Sequence, residues 1–172
     1  MRKIITRKVI AVSAFILILP TASAFAQAPK LEGTYKDWAS YSRDVGGDKS
    51  CYAITKAKTK SPSSVKHGDI YFMISNWRSG VAFEQPNFLA SYPLNPNVAP
   101  EAKVGSSKTN FYVAENEAFI DSASDEKRLV KAMRGGATMS LKAQSKRGTR
   151  VSYTFSLSGV TAALAKTKSA CQ

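Results

Sequence analysis

The sequence is poor in the residues that most often build metal and catalytic centres. Its 172 residues hold one histidine, His67, and two cysteines, Cys51 and Cys171. That leaves no ligand set for the usual zinc site, so neither a metal nor a cofactor is expected. Acids are scarce too: 12 Asp and Glu stand against 25 Lys and Arg, a net charge of +13. Glu115, Glu117, Asp121, Asp125 and Glu126 lie close together, but without the alternating oxygens and central glycine of a calcium loop. No Gly-x-Ser-x-Gly elbow marks a serine nucleophile. Gly135-Gly136 follows a helical stretch instead of preceding one, which excludes a phosphate-binding loop there. No internal repeat occurs. Beyond the first 26 residues, no apolar run approaches the roughly 20 residues of a membrane span.

What is present begins with an export pattern. Arg2, Lys3, Arg7 and Lys8 precede the apolar run Val9 to Leu19, and Ala24-Phe25-Ala26 has the small-x-small form of a cleavage site. Residues 1–26 are therefore read as a cleaved signal peptide, cut between Ala26 and Gln27, and the mature chain is expected in the periplasm or at the cell surface. Taking the four leader cations from 25 leaves 21 against 12 acids, a mature charge of +9. Export puts nucleic acid out of reach and favours an anionic envelope polymer, a lipid head group or a host-surface component as partner, although charge also serves solubility alone. In an oxidising compartment Cys51 and Cys171 are expected to pair. Closing a loop of that length contributes at most roughly 5 kcal/mol.

The mature chain, about 146 residues, suits one domain. Gln27 to Gly33 reads as a tail. Thr34 to Ser42 reads as a strand centred on Trp38, turning at Gly46-Gly47 into Ser50 to Lys56. Lys56 to Gly68 reads as a solvated loop. Asp69 to Trp77 has the strongest strand composition, with a second face suited to burial. Phe83 to Pro100 carries four prolines and is expected as a loop or edge strand, pairing at most over Phe88 to Tyr92. Asn110 to Ala114 and Ala118 to Ile120 suggest a hairpin. Ser124 is the expected cap of a helix over Asp125 to Arg134, and Thr138 to Ser145 pairs naturally with Arg150 to Leu157. After Ser158-Gly159, helical spacing of Val160, Ala163 and Leu164 predicts one or two turns. The fold class expected is mainly β: an antiparallel sandwich or partly closed barrel with one or two short helices.

Candidate chemistry is thin. Ser63, Ser64 and Asp69 lie near His67 in sequence, but in a polar stretch, so an exposed loop histidine is expected and no catalytic residue is assigned. Lys142, Lys146, Arg147 and Arg150 sit on or beside one predicted hairpin and form a candidate anion-binding group. Lys56, Lys58, Lys60 and Lys66 would enlarge it if they share its face. Tyr41, Tyr52 and Tyr92 are core, rim or sugar-stacking residues.

In order along the chain stand Trp38, Cys51, Leu129-Val130-Lys131-Ala132-Met133-Arg134-Gly135-Gly136, Ser145-Lys146-Arg147-Gly148-Thr149, Tyr153 to Ala163, and Cys171. Together they resemble the invasion-associated locus B family, most closely from Phe111 to Cys171. The resemblance implies that residues 34–172 form one domain of an exported alphaproteobacterial envelope protein with a β-sandwich-like fold, associated in some intracellular pathogens with entry into host cells. Tyr41 stands where the family often has a further cysteine, which leaves Cys51 and Cys171 as one pair. The family brings no catalytic residues. The reading expected is a non-enzymatic protein that supports host-cell invasion or envelope integrity by binding an anionic component. The alternatives are a periplasmic hydrolase on a β-scaffold and a structural partner of another envelope protein, contacting it through Phe83 to Pro100.

Overall fold

The computed structural model describes residues 28–172; the expected leader and its Ala26–Gln27 junction lie outside them. The chain runs through β1 (Lys30–Tyr35), β2 (Trp38–Val45), β3 (Asp48–Lys56), β4 (Thr59–Ser61), β5 (Tyr71–Trp77), β6 (Gln85–Leu89), β7 (Glu101–Val104), β8 (Ser107–Asn110), β9 (Tyr112–Ala114) and β10 (Glu117–Phe119). It continues through α1 (Ala123–Gly135), β11 (Thr138–Gln144), β12 (Arg150–Ser156) and α2 (Val160–Ala170). A seven-stranded sheet in the order β1-β2-β3-β5-β6-β10-β9 packs on a five-stranded sheet, β4-β12-β11-β7-β8. The ladders are antiparallel and neither sheet closes, so the sandwich holds and the barrel does not.

Period-two patterning explains the layering. Phe72 and Ile74 of β5, Leu141 of β11, and Tyr153 and Phe155 of β12 are fully buried between the sheets. Each such apolar side chain contributes about 1.5–3 kcal/mol when removed from water. Phe72 meets Phe155, and Phe88 meets Tyr153, each with ring centroids 5.7 Å apart. Trp38 is 1 % exposed, and its indole Nε1 donates to the Ser156 carbonyl across 3.0 Å.

Several expectations are corrected by the backbone. Lys30 to Gly33, read as tail, belong to β1, and the single strand expected around Trp38 is a hairpin that reverses at Lys36-Asp37. Lys36 takes a φ of 53° there, a conformation that the sequence marks with no glycine or asparagine. β6 is an interior strand between β5 and β10, not a loop or edge. Pro86 is tolerated because it pairs with Ile74 of β5, while β10 reaches only to Asn87. β4 interrupts the expected solvated loop by pairing with the edge of β12. On β5, Tyr71 and Met73, expected under a second cover, are half-buried.

The helix caps also shift. Ser122, not Ser124, caps α1: its backbone is extended and its hydroxyl accepts the Asp125 N–H at 3.2 Å. Asp125 and Glu126 in the first turn and Arg134 in the last complement the helix dipole. α2 runs to 11 residues, longer than the expected one or two turns, and enters through Gly159 without a serine cap. Its far end is joined to β3 by the Cys51–Cys171 disulfide, with Cα atoms 5.7 Å apart. Among the described residues no helix is long and apolar enough to cross a membrane.

Candidate functional site

At the end of the sandwich where β3 leaves and β5 enters, three chain segments meet around a cleft of about 500 Å³. The loop after β4 supplies Val65, Lys66 and His67, the segment after β6 supplies Tyr92 and Pro93, and the β11–β12 turn supplies Lys146, Arg147 and Thr149. Local bonds hold the turn against its neighbour. Ser145 N–H donates to the Thr149 carbonyl at 2.9 Å, and Lys146 N–H donates to the Pro93 carbonyl at 2.9 Å. The amide of Asn95 donates to Gln144 Oε1 at 2.7 Å. Lys146 and Arg147 are thus carried on a braced turn.

The wall behind them is a polar network. His67 is 7 % exposed, which corrects the expectation of an exposed loop histidine. Its Nε2 lies 2.8 Å from the Pro62 carbonyl, an acceptor only, so Nε2 carries the proton. Nδ1 is then the acceptor, and the Tyr153 hydroxyl donates to it across 3.0 Å. The Tyr92 hydroxyl in turn donates to Tyr153. Burial pushes the Tyr153 phenol far above its usual range, and burial also raises that of Tyr92. Both ring nitrogens of His67 are engaged, by a phenol and a carbonyl, and the cleft lining contains no carboxylate.

The basic residues anticipated from the sequence divide between two depressions. Lys146 and Arg147 share the cleft with Lys66, and among the described residues none of the three is in an ion pair. Lys142 and Arg150 line a neighbouring depression of about 410 Å³ on the outer face of the second sheet, where Glu101 stands opposite Lys142 in register. The second basic group does not share the face as a whole. Lys56 pairs with Asp69 and Lys58 with Asp37, each at 2.5 Å, and the Lys60 ammonium donates to the Gly68 carbonyl. Tyr41 and Tyr52 stack on each other at 5.7 Å away from the cleft. Tyr153 was not anticipated; the available signal is that a tyrosine in the buried phase of a strand needs a partner for its hydroxyl. Among the described residues no group of three or more His, Cys, Asp or Glu is placed to hold a metal ion.

The family model described as "Invasion associated locus B (IalB) protein" matches residues 38–168. The chain belongs to the IalB family. A similar solved structure is the crystal structure of invasion associated protein B from Bartonella henselae, with a TM-score of 0.56 and 12% sequence identity. That match covers 84% of this chain and 98% of the Bartonella protein, a likeness of fold. No curated protein matches the sequence. The family match takes in β2 to β12 and all of the cleft-lining segments, with β1 lying before it.

Proposed function

We propose that this IalB-family protein acts outside the cytoplasm, in the periplasm or at the cell surface, as a non-enzymatic binder of anionic groups. The ligand class is the phosphate or carboxylate of an envelope or host-surface polymer, and the contribution to invasion or envelope integrity follows from that contact. One observation carries the reading: Lys66, Lys146 and Arg147 converge on a cleft whose lining has no carboxylate to neutralise them. Arg147 brings a planar fork suited to bidentate contact, and the lysines bring point charges. The apolar sides of Val65, Pro93 and Val151 give a polymer backbone something to lie against.

The test is retention of the oxidised protein on immobilised heparin and on polyphosphate across a salt gradient. Charge reversal at Lys146 and Arg147 together is expected to cut retention at low salt by about tenfold or more, since each lost cation removes a counterion-releasing contact. Reversal at the ion-paired Lys56 and Lys58 should have a much smaller effect. Equal losses from both pairs would replace a site with general surface charge.

A further inference from the structure

The opposite end of the sandwich carries a different surface. The segment Arg78 to Phe83, joining β5 to β6, leaves Val81 78 % and Phe83 56 % exposed, and Val45 beside the β2–β3 turn is 39 % exposed. These side chains are held outward. Trp77 N–H donates to the Ala82 carbonyl at 3.0 Å, Gly80 N–H to the Trp77 carbonyl at 2.9 Å, and Glu84 N–H to Asn76 Oδ1 at 2.9 Å. The two turns are also clamped together: Arg78 N–H donates to the Lys49 carbonyl at 2.9 Å, and the Ser79 hydroxyl donates to Asp48 at 2.5 Å. The apolar tip is therefore a braced element, and its exposure is part of the fold.

Cations surround the tip. The Lys168 ammonium lies 5.8 Å from the Phe83 ring centroid, and Lys49 and Arg78 are joined by a backbone bond at the adjoining turn. Two of the nearby acids are in ion pairs, Glu84 with Arg134 and Asp44 with Arg78 at 3.9 Å, while Asp48 accepts from Ser79 and keeps its charge. We infer that this end docks on an anionic lipid bilayer, with Val81 and Phe83 entering the head-group boundary and Lys49 and Lys168 meeting lipid phosphates. Three apolar side chains on two turn tips are a small footprint beside the roughly 800 Å² per partner of a stable protein interface. Shallow insertion assisted by cations needs no more than that.

The placement has a consequence for the whole molecule. β3 and β5 separate the tip from the cleft, and at about 3.3 Å per residue their seven to nine residues put the two surfaces roughly 23–30 Å apart. A protein docked by the tip presents Lys146 and Arg147 away from the bilayer. The lipid assignment stands on the tip alone and does not depend on the cleft's ligand.

The test is co-sedimentation of the oxidised protein, as recovered from exporting cells, with vesicles of equal phosphatidylglycerol and phosphatidylcholine and with vesicles of phosphatidylcholine alone. Binding to the anionic vesicles is expected, with a blue shift of Trp77 emission and at least tenfold weaker binding to the neutral ones. Val81→Asp with Phe83→Asp should weaken anionic-vesicle binding by about tenfold or more at an unchanged thermal midpoint, Val81→Trp should strengthen it, and charge reversal at Lys146 and Arg147 should leave it in place. Vesicle binding that survives the double aspartate variant, or a wild-type protein that captures a protein through Phe83 and ignores vesicles, would overturn the inference.

Discussion

The Tyr153 hydroxyl donates to His67 Nδ1 across 3.0 Å, joining two residues 86 positions apart. Tyr153 lies on β12 with no exposed surface, and His67 lies in the loop before β5, so this bond fastens one wall of the cleft to the core. Replacing Tyr153 with Phe keeps the ring but leaves the His67 nitrogen and the Tyr92 hydroxyl without their partner. The expected cost is about 1–3 kcal/mol, read as a shift in urea midpoint. A variant as stable as the wild type would mean that water takes over the hydroxyl's bonds.

The same residue sets an alkaline limit. Burial raises the phenol of folded Tyr153 above that of the unfolded chain, which ionises near pH ~10. A raised folded value contributes stability that is complete below pH ~10 and is lost as pH climbs towards the folded value, because the folded state keeps its proton longer. Urea midpoints should therefore hold steady from neutral pH to about 10 and fall above it. Tyr153→Phe should flatten that fall. An unchanged slope in the variant would assign the alkaline loss to Tyr52 and Tyr92, which burial shifts the same way.

The Cys51–Cys171 bond closes a 120-residue separation and pins the end of α2 to β3. Chain entropy puts its contribution at up to about 5 kcal/mol. The double alanine variant should lose roughly 3–5 kcal/mol, and amide exchange should rise first in α2. Exchange rising evenly across both sheets would show that α2 does not come away as a separate unit.

Gly159 and Gly148 both have positive φ, 97° and 89°, but only one is crowded. A β-carbon at Gly159 would sit 1.9 Å from the Tyr35 carbonyl oxygen, whereas one at Gly148 meets nothing within 4 Å. Gly148→Ala should cost about 1–2 kcal/mol from backbone conformation alone. Gly159→Ala adds overpacking of about 1–3 kcal/mol to that, and thermal melts of the two variants should separate accordingly. Equal melts would mean that the β1–β2 turn yields without cost.

The two neighbouring basic depressions make a further distinction. Lys142 faces Glu101 across the ladder, and Arg150 shares its depression, while Lys146 and Arg147 have no acid in theirs. Reversing Lys146 and Arg147 should flatten the salt dependence of heparin binding by about two units of slope at most, more than reversing Lys142 and Arg150 does. The opposite order would move the site onto the outer face of the second sheet.

The β class, the strands β5, β11 and β12, the hairpin of β2 and β3, and the core of α1 are legible in the amino-acid order alone. In each, the information is local: alternation along a strand, glycines at a turn, or acids before and a cation after an apolar stripe. Elements without such marks were decided by pairing. The β1–β2 turn uses Lys36 at positive φ, and β6 accepts Pro86 because its neighbour ends in time. The site follows the same division. Lys146 and Arg147 are legible on their hairpin, but their partnership with Lys66, and the burial of His67 against Tyr153, arise where a loop, a turn and a strand distant in sequence meet. Which lysines stay free is likewise a tertiary outcome: Asp37 and Asp69 reach Lys58 and Lys56 only after the sheets form, and no acid is brought to the cleft.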